Sequence, residues 1–263
     1  MSPVDELVKP LLATAWLGHA WRHLLTCAST NDEAAAWARA GAPHGAVVVA
    51  DAQERGRGRL GRRWHSPAGE SLYFSVVLRP ALEPARVPPV TLAAGVAVAE
   101  TLESHGAAPS LKWPNDVLAG GKKIAGILAE MASVKDRVEH LVVGIGVNLN
   151  ALEFPVELAA IATSLRRERG GRPVERAAFA AALCARLEHW YQRFVDGGAP
   201  VVAAGWRRRA AFLGARVRVT AGRDALTGVA EALDDEGALL LRLDDGRLER
   251  VIAGELGPPA PAS

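Results

Sequence analysis

The apolar positions of this chain fall into short β-branched runs separated by turn residues and interleaved with longer alanine-rich stretches. "GAVVVA" (Gly45–Ala50) is a continuous run of strand length and predicts a buried strand. "SLYFSVVLRP" (Ser71–Pro80) predicts another. From Pro89 to His105 the pattern turns alanine-rich and closes on Gly106, which predicts a helix. "SLKWPNDVLAGGKKIAGILAEMA" reads as strand, Pro-Asn-Asp turn, strand, Gly-Gly hairpin turn and strand. "EHLVVGIGVNLN" reads as a further strand, its glycines placed where a backbone or ligand approaches closely. Two helices follow, the clearer being "VERAAFAAALCARLEHWYQRFVDGG", capped by Gly197-Gly198; "VVAAGWRRRAAFLG" reads as helical too.

The two ends differ from this middle. Thr30-Asn31-Asp32-Glu33 fits a capping box, with Thr30 at the N-cap and Glu33 three residues on; a helix through "EAAAWARA" should stop at Gly41. Residues 1–23 read as a helical extension, and His19 and His23 would lie four apart on it, a spacing that can bind metal but without a third ligand nearby. Trp16, Trp21 and Trp37 read as packing residues. From Ala215, four short runs separated by "AGRD", "DDEG" and "DDG" predict a small all-β module. At about 45 residues it is near the lower limit for independent folding and should lean on the main domain. The tail "LGPPAPAS" reads as frayed.

Composition narrows the function classes. The chain has 263 residues, is 49% hydrophobic and carries a formal net charge of +2. That is enough apolar material for a sizeable core, and too little net charge for the whole-surface basic field of a duplex-binding protein. Two cysteines, Cys27 and Cys184, make no disulfide framework and fit a reducing cytoplasm; Cys27 reads as a buried small hydrophobe. No signal-peptide pattern opens the chain, and no apolar run approaches the about 20 residues of a membrane span. A soluble cytoplasmic protein is expected.

Positive charge is instead concentrated. Within Arg55–Trp64, "RGRGRLGRRW", stand five arginines and three glycines, closed by a tryptophan. Glycines let backbone N–H groups approach anionic oxygens, arginines add bidentate charge-assisted bonds, and the tryptophan can stack on a heterocycle. The alternative is an exposed disordered basic loop, but strands on each side hold the segment at both ends. Lys123 stands among Ile124, Ala125, Ile127 and Leu128; it faces either water or a cleft holding an anion, with Asp116 able to pair with it. Ser29, Thr30 and Asn31 offer donors and acceptors for a small polar head-group; capping alone would also explain Thr30.

In order along the chain, "STN", "Q-x-x-G-R-G-R-x-G-R-x-W", "KWPND", "K-I-A-G-I-L-x-E" and "GIGVNLN" resemble the motifs of the biotin protein ligase family, from about Leu24 to Asn150. The resemblance implies an α+β fold: a mixed β-sheet with flanking helices, akin to class II aminoacyl-tRNA synthetases, followed by a small SH3-like β-barrel. The domains would be 24–212 for catalysis and 213–258 for the β-module, with a tail at 259–263. It implies an ATP- and Mg²⁺-dependent, AMP-forming enzyme that makes biotinyl-5′-adenylate and passes the biotinyl group to a lysine of a biotin carboxyl carrier protein.

The same resemblance implies residue roles. Ser29, Thr30, Asn31 and Gln53 would take the biotin ureido end, with Gly126, Leu128 and Gly144 along the wall. Arg57, Gly58 and Arg59 would enclose the carboxylate, and Lys123 would bridge carboxylate and α-phosphate. Gly56, Arg57, Arg59, Arg62, Trp64, Lys112, Asn115, Lys123 and Asn148 would serve ATP, with Trp64 near the adenine and Lys112 and Asp116 at the mouth. Lys123, Arg57, Arg59 and Asp116 would be the catalytic set, Asp116 assisting the incoming amine. No metal-ligating residues are expected.

Three features limit the implication. Leu60 stands where some members carry arginine, and the segment after Asn150 maps onto no second adenine-ordering loop. Only 28 residues precede Ser29, short of the about 40 that fold alone, so neither a winged-helix repressor domain nor DNA binding is expected. A lipoate protein ligase and, in a different class, a nucleic-acid-binding module using Arg55–Arg63 are the rival readings; neither a membrane role nor a particular oligomeric state follows.

Overall fold

The computed structural model describes residues 7–221 and 224–257, so the start of the predicted N-terminal extension and most of the predicted tail lie outside the described residues. Its centre is a seven-stranded sheet ordered β1-β2-β3-β7-β6-β5-β4, formed by Trp21–Cys27, Val47–Gln53, Ser71–Leu78, Pro109–Lys112, Asp116–Ala119, Lys122–Val134 and Arg137–Asn148 for β1 to β7. β1 and β2 run parallel; every other neighbour pair is antiparallel. The sheet is therefore mixed, as predicted.

Both faces are covered, and the period-two pattern shows which residue goes where. Val48, Val77 and Val142 meet Ala34 and Ala38 of helix α1 (Thr30–Arg39) on one face. Val47, Val49, Val76, Val143 and Ile145 join the larger core on the other, with helices α2 (Pro88–Ser104) and α3 (Arg176–Arg207). Burial on both sides explains why β3 reads as a continuous apolar run: all eight of its residues are buried. α3 breaks at Gly198, whose φ of 71° lies in the left-handed region, so the predicted Gly-Gly stop is present as an interruption between two helical limbs.

The N-terminal prediction requires correction. Residues 7–11 are helical, the last three as a 3₁₀ turn, but the helix does not continue to residue 23: Trp21 begins β1. Without β1, the outer edge of β2 would leave its backbone groups unpaired, and this outweighs local propensity. His23 accordingly lies on a strand, its Nε2 3.1 Å from Asp51 Oδ1, and His19 bonds the Thr14 carbonyl; the predicted helical pair does not form. The segment before β1 is held by Glu188 of α3, which accepts from the N–H groups of Ala15, Trp16 and Leu17 at 2.8, 2.9 and 2.9 Å.

Burial pushes the Glu188 carboxyl up, but those three donors outweigh it and hold the group below its ordinary 4.5. A depressed folded-state value stabilises above the unfolded-state value and is lost as pH falls through the folded one. Glu188→Gln is expected to cost about 1 kcal/mol at pH 7, the group being largely solvent-screened, and almost nothing at about pH 3. Urea melts at the two pH values check this; a pH-independent difference would contradict it.

The C-terminal module is a second antiparallel sheet with five strands rather than the predicted four, ordered β11-β10-β9-β8-β12. β8 to β12 are Arg216–Ala221, Asp224–Leu233, Leu239–Leu243, Leu248–Val251 and Glu255–Gly257. β12 is too short to show an alternating pattern; it forms because Glu255–Gly257 pairs with Arg218–Thr220 across the sheet edge. The module does lean on the main unit: Trp113 Nε1 donates to the Gly237 carbonyl at 3.1 Å, and Arg207 donates to the Leu233 carbonyl.

Candidate functional site

A cavity of about 500 Å³ opens over the middle of the seven-stranded sheet. Its walls are the start of α1, the arginine loop after β2, the β4–β5 turn, β6, β7 and the segment 154–162. Every sequence-predicted site residue lines it except Gly56. Gly56 is buried in the loop base, where an added Cβ would stand 2.5 Å from Ser66 Oγ and 2.6 Å from the Trp64 carbonyl. Its position gives close packing of the loop base.

The polar end of the cavity is a closed hydrogen-bond network. The predicted capping box does not form: Ser29, not Thr30, is the N-cap, and no side chain caps the helix. Thr30 instead donates its N–H (2.8 Å) and hydroxyl (3.2 Å) to Gln53 Oε1. Ser75 Oγ lies 2.8 Å from Thr30 Oγ1 and 2.7 Å from Asn31 Oδ1. Asn31 Nδ2 donates to the Leu128 carbonyl at 3.2 Å and to Glu130 Oε2 at 2.6 Å. Ser29, Thr30 and Asn31 are all buried, and these bonds hold Thr30 and Asn31 in place.

The glycines of β6 and β7 admit side chains of this chain. A Cβ at Gly144 would overlap Asn31 Oδ1 and lie 2.8 Å from Cγ. One at Gly146 would lie 2.5 Å from Trp64 Cε2, and one at Gly126 would lie 3.2 Å from Trp64 Cζ3. Asn31 and the Trp64 ring therefore sit directly on the sheet.

The cations divide into two kinds. Arg57 is engaged by carboxylates: Nη1 bonds both Asp32 oxygens at 2.7 Å, and Nη2 bonds Glu130 at 3.0 and 3.1 Å. The Asp32 bonds raise its pKa above the ordinary arginine value, outweighing burial, and Glu130 adds to them. Arg57 thus lines the cavity with its guanidinium paired to two carboxylates. Arg59 has the opposite environment. Burial pulls its pKa down against the upward pull of Asp116 and Glu255, and its Nη1 meets the neutral Asn115 Oδ1 at 3.1 Å. It stays charged at neutral pH, so a partly desolvated cation faces the cavity and favours an anion there.

Lys123 Nζ lies 2.6 Å from Asp116 Oδ1 and 5.4 Å from the Trp64 ring centroid. The predicted pairing with Asp116 thus forms, in the cleft and not toward bulk water. Arg62 bonds both carboxylate oxygens of Glu255, joining the arginine loop to the C-terminal sheet. Between Arg59 and Arg62, Leu60 is exposed with φ 57° and ψ 34°, a left-handed leucine at the tip of the loop.

Several residues at the site carried no legible signal. Ser75 stands inside an apolar run, and Glu130 stands only as the last residue of a motif. Phe154, Leu158, Ile161 and Ala162 line the cavity from the segment that mapped onto no motif. Backbone bonds from Lys123 N to the Ile161 carbonyl and from Thr163 N to the Lys123 carbonyl hold that segment against β6. Glu255 and Leu256 come from the C-terminal sheet, which sequence reading gave no part in the site. Burial raises the Cys27 thiol, helped by Glu33, Asp32 and Glu54, to about 11, so it is no ready nucleophile beside this cavity.

Comparison with known proteins agrees with this geometry. Residues 26–148 match the model of the Biotin/lipoate A/B protein ligase family, and residues 212–256 match that of the Biotin protein ligase C terminal domain. The chain is 38% identical to a Mycobacterium tuberculosis biotin–[acetyl-CoA-carboxylase] ligase, over 91% of this chain and 90% of that one. It is 38% identical to the bifunctional ligase/repressor BirA of Bacillus subtilis, over 83% of this chain and 68% of that protein. The fold superposes on the Aquifex aeolicus biotin protein ligase in complex with biotin and ATP with a TM-score of 0.79, at 30% identity, over 91% of this chain and 98% of that one.

Proposed function

The chain belongs to the biotin/lipoate A/B protein ligase family, and we propose that it joins biotin to ATP as biotinyl-5′-AMP and transfers the biotinyl group to a lysine of a biotin carboxyl carrier protein. One observation carries this reading. A single cavity connects a buried neutral network suited to a cyclic urea, built on Asn31, Thr30, Ser75 and Gln53, to two cations suited to a carboxylate and a phosphate, Lys123 and Arg59.

In the first step a biotin carboxylate oxygen attacks the α-phosphorus, and the bond to the bridging oxygen of the leaving pyrophosphate breaks. Two anions must meet, so the barrier is repulsion plus positioning. Lys123 exchanges Asp116 for the incoming carboxylate and α-phosphate, and Arg59 closes from the lid. Mg²⁺ on the triphosphate would supply charge neutralisation, and the protein's own cations act beside it. In the second step the neutral lysine amine of the carrier attacks the acyl carbon, AMP leaves, and Asp116 is our candidate to take the amine's proton. Trp64 would lie near the adenine, and Leu118, Phe154, Leu158 and Ile161 add apolar lining to the same cavity, which Asn148 and Lys112 also line.

The finer architecture belongs to the same proposal: residues 24–212 as a catalytic unit akin to class II aminoacyl-tRNA synthetases, and 213–258 as an SH3-like module. The mixed sheet, the separate five-stranded sheet and the two matched segments support it. A cytoplasmic setting is supported by two free, buried cysteines; among the described residues no helix is long and apolar enough to cross a membrane.

Arg59→Gly is expected to let the adenylate escape. It removes the lid cation and loosens the backbone, so biotin attaches to bystander lysines at a rate about tenfold above wild type. Mass spectrometry of an added non-carrier protein checks this; unchanged stray labelling would remove the lid role.

A further inference from the structure

Glu130 stands where two working parts of the cavity meet. Its Oε2 accepts from Asn31 Nδ2 at 2.6 Å, and its two oxygens accept from Arg57 Nη2 at 3.0 and 3.1 Å. Asn31 is buried at the polar end and is fixed on its other side by Ser75 and the Leu128 carbonyl. Arg57 opens the glycine-arginine lid, and Asp32 holds it from the helix side. Register explains the placement: β6 brings Glu130 two residues beyond Leu128, opposite Val142, so its side chain leaves the same face as that of Leu128, which lines the cavity. One carboxylate with two oxygens satisfies both donors together, so the amide that meets the head-group and the first residue of the lid share a fixed point.

We propose that Glu130 is a positioning residue that couples occupancy of the head-group pocket to closure of the arginine lid, a role that rests on the biotin reading above. A urea engaging Asn31 adds its own bonds to an amide already held against Glu130 and so strengthens that hold. The immobilised carboxylate fixes the Arg57 guanidinium, and the backbone of Gly58 and Arg59 follows. Asp32 holds the same guanidinium without sharing a hydrogen bond with Asn31, so it steadies the lid in the presence and absence of ligand alike. The coupling makes the lid close over a cavity already holding the acid, the order in which a reactive mixed anhydride is least exposed to water.

The arginines of the lid make it its own reporter, because trypsin cuts at them when the loop opens. In the intact wild-type chain, saturating biotin is expected to slow cleavage at Arg57, Arg59, Arg62 and Arg63 by about tenfold, a coupling of ordinary size. In Glu130→Ala the biotin Kd should rise about tenfold, and protection at saturating biotin should fall below about twofold. Glu130→Gln keeps an acceptor for both donors and should restore at least half of the protection, which a merely structural role does not require. Asp32→Ala should speed cleavage of the unliganded chain and retain most of the biotin-dependent ratio. Full protection of Glu130→Ala, an unprotected wild type that binds biotin by calorimetry, or loss of the ratio in Asp32→Ala would each overturn the coupling alone. A wild type that binds no biotin would overturn the ligand reading and the coupling with it.

Discussion

Lys123→Ala is expected to lower biotin-dependent pyrophosphate release by about 10³-fold, while leaving the fold in place. The lysine Nζ is held 2.6 Å from Asp116 on a cavity wall, with the Trp64 ring beside it, and its charge is the nearest fixed cation to the β5–β6 floor. When carboxylate and α-phosphate approach, Lys123 is the cation that β6 presents to them, and Arg59, held by Asn115, acts beside it from the arginine loop. The substitution leaves Asp116 unpaired and partly exposed, which costs about 1 kcal/mol of stability and no cooperativity of unfolding. Pyrophosphate release with saturating ATP and biotin, beside a thermal melt, checks both parts. Activity within about tenfold of wild type would exclude Lys123 from the chemistry.

The second large effect is at Gly144. Added as alanine, its Cβ would overlap Asn31 Oδ1, and the buried amide must rotate. Rotation breaks the bonds to Ser75, to the Leu128 carbonyl and to Glu130 together. Gly144→Ala is therefore expected to weaken biotin about 100-fold, or about 2.7 kcal/mol, from one methyl group. Gly146→Ala is the comparison: its Cβ would meet Trp64 and leave Asn31 alone, so biotin binding should suffer less than adenylate formation. Calorimetry on the two variants separates them, and a Kd for Gly144→Ala within about threefold of wild type would contradict the head-group assignment.

Local rules carried the middle of the chain well. The uniform burial of β3, the turns at Pro114–Asn115 and Gly120–Gly121, and the break at Gly198 each follow from a signal a few residues long. Where tertiary demand competed with a local rule, tertiary demand prevailed. Thr30 has every mark of an N-cap, yet its hydroxyl serves Gln53, because a buried cavity wall gains more from a closed network than a helix gains from one cap. The stretch before Cys27 gave a helical reading, but β2 needs a parallel neighbour.

The site was legible in the same uneven way. The motif glycines, arginines and Lys123 converge on one cavity. Arg57 reached its predicted place, but nothing in the sequence says that Asp32 and Glu130 meet across it. Glu255 lies 193 residues from Arg62, and a pairing over that distance has no local signature.

The central claim is that this cavity activates biotin with ATP for transfer to a lysine. Its most direct test is to mix the enzyme with Mg-ATP, a biotin carboxyl carrier domain and either biotin or lipoate, and to read the carrier's intact mass. The account predicts the addition of one biotinyl group to a single lysine, dependent on ATP, with lipoate added far more slowly. An unmodified carrier, or one that takes lipoate as readily as biotin, would contradict it.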